Sequence, residues 1–267
     1  MNVLIVGAGP AGLYLAYLLK RQSPQTALRI VEQNPPDSTF GFGVVFSDRA
    51  LEFLRDDDPA TCELVTPAMQ QWNDLVVHHR GQAIAIDGIG FAAIGRLRLL
   101  LLLQQQLAGV GIVPEYRRTL TDPRELQGHD LVVAADGVNS FVRRGRESEF
   151  GTRIEHLANR FVWYGTTRPF AALSQTFVQA EAGTFNAHHY RYAPDMSTFI
   201  VECDPATWER AGFAAMDEAA TKAYCERVFA ATLDGHPLVT NRSIWRNFPK
   251  VWNEHWSAGN TVLIGDA

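Results

Sequence analysis

Val3-Leu4-Ile5-Val6 is apolar without alternation, the pattern of a strand buried on both faces of a parallel sheet. The period then changes: Leu13, Ala16, Tyr17 and Lys20 recur at helical spacing. "LRIVEQ" predicts a second strand from Leu28 to Glu32. A leucine-rich run predicts a helix from about Arg96 to Ala108, with its leucines facing a core. Leu131 to Ala135 and the closing "TVLIGDA" again read as buried strands. From about Asn159 the texture differs. "NRFVWYGTTRP", "QTFVQAE", "TFNAHHYRYA" and "STFIVEC" are short runs rich in Val, Thr, Phe and Tyr, broken at Gly183 and Ala193-Pro194-Asp195, which predicts an antiparallel sheet with hairpins. Helical runs follow near Pro205–Ala211 and Asp217–Leu233, and "SIWRNFPKV" leads back toward the first domain. The reading is an α/β protein with a Rossmann-like domain over 1–158 and 243–267 and an inserted sheet domain over 159–242.

Composition narrows the function classes. Hydrophobic residues make up 46% and charged residues 20% of the 267 positions, which allows an ordinary core. A net charge of −5 without a basic tract gives nucleic-acid binding no electrostatic support. The run Leu99–Leu103 falls far short of the ~20 residues that span a bilayer, and the N-terminus has no signal-peptide pattern, so no membrane partner is expected. Cys62, Cys203 and Cys225 are odd in number and widely spaced, which suggests reduced thiols and a cytoplasmic protein; no Cys/His spacing suits zinc.

The chemistry is concentrated where strands end. Gly7, Gly9 and Gly12 stand in G-x-G-x-x-G spacing between a strand and a helix, with Pro10 and Ala11 between them. Gly7 permits the tight turn, Gly9 lets backbone approach a pyrophosphate, and Gly12 lets helix and strand pack closely. Glu32, twenty residues past Gly12, is placed to accept hydrogen bonds from adenosine ribose hydroxyls. These features predict a dinucleotide and leave FAD and a nicotinamide cofactor both open. Arg96 at its helix start is either a solvated side chain or a fork for phosphate. Asp136-Gly137 ends a strand and is either a turn and cap or part of the ligand edge; Asn139 and Ser140 are further candidate caps. Asp266 ends the last strand at the same edge.

Taken in order, Gly7-Ala8-Gly9-Pro10-Ala11-Gly12-Leu13, Asp136-Gly137 and Gly265-Asp266-Ala267 resemble the three fingerprints of the class A flavoprotein monooxygenases. That resemblance implies a fold of the p-hydroxybenzoate hydroxylase (PHBH-like) type. It also implies FAD, with Glu32 at the adenosine ribose, Arg96 near the pyrophosphate and Asp266 on the ribityl chain; Gln33 and Val45 join the implied cofactor set. NADH or NADPH would be a transient co-substrate, since a second glycine fingerprint is absent, and O2 would react at C4a of the reduced flavin to give the hydroxylating hydroperoxide. A narrower resemblance, through "TFGFGVVFSDRALEFL", "FVWYGTTRPF", "MSTFIVEC" and "YCERVFAATLDGHPL", is to salicylyl-CoA 5-hydroxylases and 2-aminobenzoyl-CoA monooxygenases. The implied substrate is a small aromatic ring, carried as a CoA thioester. "WYGT" and "MSTFIVEC" also resemble the indole-type hydroxylase of violacein biosynthesis, the second reading; a non-catalytic flavin-binding remnant is a third.

Expectations for the remaining residues are local. His188 and His189 should face opposite sides of a strand, one toward a pocket and one toward solvent, with His188 the candidate proton acceptor. Trp163 and Tyr164 should likewise point apart, and Asp56-Asp57-Asp58 should be a solvated helix end. Gly41 and Gly43, in the loop Gly41–Ser47, should allow close backbone approach to a ligand. In the resembled family the G-D-A motif runs on into a helix at the pyrimidine end of the flavin. The chain is therefore expected to be a C-terminally truncated form or a piece, able to hold the adenine–pyrophosphate half better than the ring, and able to self-associate as a homo-oligomer.

Overall fold

The computed structural model describes residues 1–267. They divide into two compact units: Met1–Ser38, Leu99–His156 and Pro249–Ala267 form the first, and Thr39–Arg98 with Leu157–Phe248 form the second. The sequence reading groups residues 39–98 with the first unit. They pack instead with the sheet-bearing unit, because Leu75–His79 and Gln82–Ile86 complete its large sheet.

The first unit is built on a five-stranded sheet. The opening strand Asn2–Val6 pairs in parallel with Ala27–Val31 on one side and Leu131–Ala134 on the other, and Thr261–Leu263 pairs in parallel with Leu131–Ala134. Val3, Leu4 and Ile5 are all fully buried, as their unbroken apolar run predicts. Leu4, Val6, Val31, Val132, Ala134, Phe150 and Leu263 share one core. The helix Pro10–Gln22 follows the first strand; Pro10 occupies its first turn, where the missing amide costs nothing.

In the second unit an eight-stranded sheet carries helices over one face. Phe185, Ala187, Phe199, Val201, Phe213, Cys225 and Phe229 form the core between them. The expectation of an antiparallel sheet holds for Leu173–Ala180, Gly183–Ala193, Met196–Cys203 and Arg153–Thr166. It fails at one seam, where Leu173–Ala180 pairs in parallel with Leu75–His79. That seam joins segments about a hundred positions apart, and no periodicity in either one encodes its partner. A smaller sheet of Gly43–Ser47, Phe91–Gly95 and Gln70–Trp72 lies in the same unit. Cys62, Cys203 and Cys225 are free thiols. Asp58 departs from the expected solvated helix end: it is 0% exposed and caps the helix Pro59–Val65, accepting from the Thr61 amide and hydroxyl.

Candidate flavin-binding site

The parallel pairing brings four strand ends to one edge of the first unit's sheet, carrying Gly7 to Gly12, Glu32 with Gln33, Asp136-Gly137 and Gly265-Asp266. The glycines divide their tasks. A Cβ on Gly7 would lie 2.3 Å from the Ala135 oxygen, and one on Gly12 would lie 2.1 Å from the Gly7 oxygen. Both positions are closed by the protein's own backbone. A Cβ on Gly9 would meet nothing within 4 Å. Gly9 caps the helix with no side chain, and the first helical turn carries no acidic residue. The helix N-terminus therefore presents unpaired amides and its positive dipole end to open space, which is what a pyrophosphate requires.

Glu32 is engaged by the loop it faces. Its carboxylate accepts from the Ala8 amide at 2.8 Å and from the Asn34 amide and side chain at 2.8 and 2.7 Å. Beside it, the Glu115–Arg118 segment lines the strand edge through backbone bonds to Ile30 and Glu32. Asp136 serves as a cap: Oδ2 accepts from the Phe141 amide at 2.7 Å. Its Oδ1 is buried without a protein partner. Ser140 caps the short helix Phe141–Arg144, as expected, by accepting from the Arg143 amide at 2.9 Å. Gln33 and Asp266 are exposed at the edge. The residues present fit a dinucleotide: an uncapped helix end, an open glycine, a preset carboxylate and an acidic residue at the last strand end.

One residue escaped the sequence reading. Arg143 is 0% exposed, and its guanidinium donates to the carbonyls of Val138 and Asp266, the latter at 3.3 Å. It thereby ties the Asp136-Gly137 loop to the Gly265-Asp266 loop. Burial pulls its pKa below the ordinary value, and the nearby Asp136 charge opposes that pull. A hint was available in "DGVNSFVRR", where an arginine shortly follows a strand-ending aspartate, but nothing in the sequence says that it turns inward.

Val45, Arg96 and His188 belong to the second unit. Val45 packs against the cluster of Trp72, Ala93, Leu173 and Tyr190. Arg96 opens the helix Arg96–Gly109, its amide donating to the Phe42 carbonyl at 2.7 Å. It lines a cavity of about 600 Å³ with Phe42, Gln70, Arg98 and Tyr192. Gly41, at φ +78°, lies against Trp163, where a Cβ would approach the ring to 2.8 Å, so this glycine is required by side-chain packing. Gly43 is held from both sides: its amide donates to Thr198 Oγ1 at 2.9 Å, and its carbonyl accepts from the Tyr190 hydroxyl at 2.9 Å.

His188 and His189 do face opposite sides, and neither is an exposed side chain. His189 lies on the core face, bonded through Nε2 to Thr176 at 2.9 Å and set against Phe170 and Phe199. His188 is half-buried on the other face, near Tyr190. Trp163 and Tyr164 split in the same way, with Tyr164 fully buried. Desolvation lowers the pKa of both histidines, strongly for His189, so both stay neutral where the unfolded chain takes up protons. In that window the unfolded state binds more protons, so stability falls as pH drops below about 6.5. Urea unfolding at pH 7 and pH 5 should give a lower midpoint at pH 5, and a His189→Gln variant should show a smaller loss between the two.

Comparison with known proteins supplies the family. Residues 1–57 match the model of an FAD binding domain. The chain is 41% identical to a salicyloyl-CoA 5-hydroxylase from Streptomyces, over all of this chain and 53% of that protein. It is 35% identical to a 3-hydroxy-4-methyl-anthranilyl-[aryl-carrier protein] 5-monooxygenase from Streptosporangium sibiricum, over all of this chain and 72% of that protein. The chain belongs to the class A FAD-dependent aromatic monooxygenases. A third member of this family, protodeoxyviolaceinate monooxygenase from Chromobacterium violaceum, is 34% identical across 72% of its length. The monooxygenase fold is also that of 2-methyl-3-hydroxypyridine-5-carboxylic acid oxygenase, with a TM-score of 0.79 over 100% of this chain and 75% of that one, at 15% identity. The chain thus spans about half the length of one curated relative and nearly three quarters of the other two.

Proposed function

We propose that this chain binds FAD and belongs to an enzyme that hydroxylates an aromatic ring presented as an aryl thioester, using NADH or NADPH and O2. The observation that carries the reading is the assembly of Gly9, Glu32, Asp136 and Asp266 at one sheet edge around an uncapped helix N-terminus. The Ala8–Gly12 backbone and the helix end hold the pyrophosphate, the Glu32 carboxylate accepts from the ribose, and Asp266 accepts from the ribityl hydroxyls. Val45 and Arg96 are proposed as further cofactor residues on the strength of the family pattern. When bound, FAD supplies the redox chemistry, accepting hydride from the nicotinamide and activating O2. His188, neutral because it is desolvated, is the candidate group to take a proton from a ring hydroxyl or amine, which raises electron density at the carbon to be hydroxylated.

The thioester is favoured over a free acid because two of the three relatives are named for substrates on CoA or an aryl-carrier protein. The violacein-pathway relative supports an indolic substrate as the second reading. Titration of the purified chain with FAD, followed by visible absorbance, tests the cofactor. The gene's complete product is then offered salicylyl-CoA, 2-aminobenzoyl-CoA, the free acids and indolic acids, with product detected by mass. Hydroxylation of the thioesters alone is expected. Hydroxylation of only the indolic acids would establish the second reading, and NAD(P)H oxidation without oxygenation of any of them would end both.

A further inference from the structure

Two large sheets offer four edges, and three are short, lined by backbone or guarded by charge and proline. In the first unit, Ala27–Val31 is lined by the Glu115–Arg118 backbone, and the far edge is the two-residue strand Ser257–Ala258. In the second unit, Arg153–Thr166 is flanked by Leu238–Val239, two residues long and turned into the core at Leu238, and by Arg246–Trp252, which carries Arg246, Pro249 and Lys250, the charges and proline that protect an edge. The other edge is Gln82–Ile86, where every residue is exposed and nothing pairs on the outer side. Its sequence, QAIAI, has neither charge nor proline, the usual protections of a bare edge. Ile84 and Ile86 are 51% and 41% exposed on one face.

The register states which groups are free. Gln82–Ile86 pairs with Leu75–His79 through a two-residue turn at Arg80 and Gly81, both at positive φ. In such a hairpin the residues flanking the turn exchange hydrogen bonds and alternate residues follow, so Gln82, Ile84 and Ile86 bond inward. The amides and carbonyls of Ala83 and Ala85 then point outward. An antiparallel copy centred on Ile84 sets Ala83 opposite Ala85 of the second copy and closes four hydrogen bonds. It sets Ile84 against Ile84 at the close, non-bonded position, and the next outward pair is Gly81 with Asp87. Arg80 then lies one position from the Asp87 of the other copy, on both sides of the two-fold axis. The edge is complementary to itself in hydrogen bonding, in apolar contact and in charge.

We propose that Gln82–Ile86 is a homodimer interface, in which two copies of this chain pair antiparallel and join their eight-stranded sheets across a two-fold axis. Such pairing is isologous and closes on itself, leaving no free strand to propagate. One short strand per copy makes a small interface, so the dimer should dissociate in the micromolar range.

Sedimentation velocity of the chain across a concentration series tests this. A concentration-dependent dimer is expected. Ile84→Lys places like charges at the axis, and Ala85→Pro removes an outward donor while sparing the inward ladder. Each should raise the dissociation constant at least tenfold, with circular dichroism and melting temperature close to the parent. Joining Arg80→Asp with Asp87→Arg should restore what either single change weakens. A chain that is monomeric throughout, or a dimer that both Ile84→Lys and Ala85→Pro leave intact, would overturn the proposal.

Discussion

Replacing Arg143 by Met should destabilise the protein by about 2 kcal/mol, because the carbonyls of Val138 and Asp266 lose a charged donor at once. Urea unfolding reads that loss directly. The Asp136-Gly137 and Gly265-Asp266 loops both belong to the proposed flavin edge, so FAD affinity should fall by at least tenfold even at temperatures where the variant is folded. Arg143→Lys keeps the charge but not the fork, and should fall between the two. A methionine variant as stable as the parent would mean that the guanidinium is a tolerated burden rather than a tie.

The second large effect separates folding from binding within one loop. Gly12→Ala would force a Cβ to 2.1 Å from the Gly7 carbonyl oxygen, against backbone that has no room to move. It should cost several kcal/mol or prevent folding. Gly9→Val adds atoms where the protein has none within 4 Å of the first carbon, so its melting temperature should stay near the parent's. Those atoms would occupy the space assigned to the pyrophosphate, and FAD binding should drop by a hundredfold or more. If Gly9→Val binds FAD normally, the phosphate does not sit on this helix end, and the assignment of the edge is wrong. If Gly12→Ala is harmless, the close approach of helix and strand is softer than the distances imply.

The first unit was legible because its signals are local. An unbroken apolar strand, three glycines at fixed spacing and an acid twenty positions later are written within residues 3–32, and each leads to its own element. The strand ends at Asp136 and Asp266 were legible for the same reason. What the sequence concealed is pairing at a distance. The strand Leu75–His79 looks like any half-buried strand, and its parallel partner Leu173–Ala180 carries no mark of it. Arg143 and Asp58 were hidden by type: buried charges are rare, so an arginine or aspartate in a polar stretch is read as solvated unless its partners are known. The histidine pair was half legible. Alternation gave the opposite faces, whereas the aromatic packing that buries His189 and half-covers His188 is tertiary.

The chain passes between its two units at four places, after Ser38, Arg98, His156 and Phe248. During synthesis, the opening strand and the glycine loop emerge first but gain their second neighbour, Leu131–Ala134, only about a hundred residues later. Thr261–Leu263 joins that strand later still. The second unit, although inserted, has all its strands in hand once Trp252 has left the ribosome, before Thr261–Leu263 joins the first unit's sheet. The inserted unit is thus the one positioned to mature first, and the nucleotide-binding edge is finished after it. Chain release between Trp252 and Thr261 would yield a protein with a formed large sheet and an unfinished cofactor site.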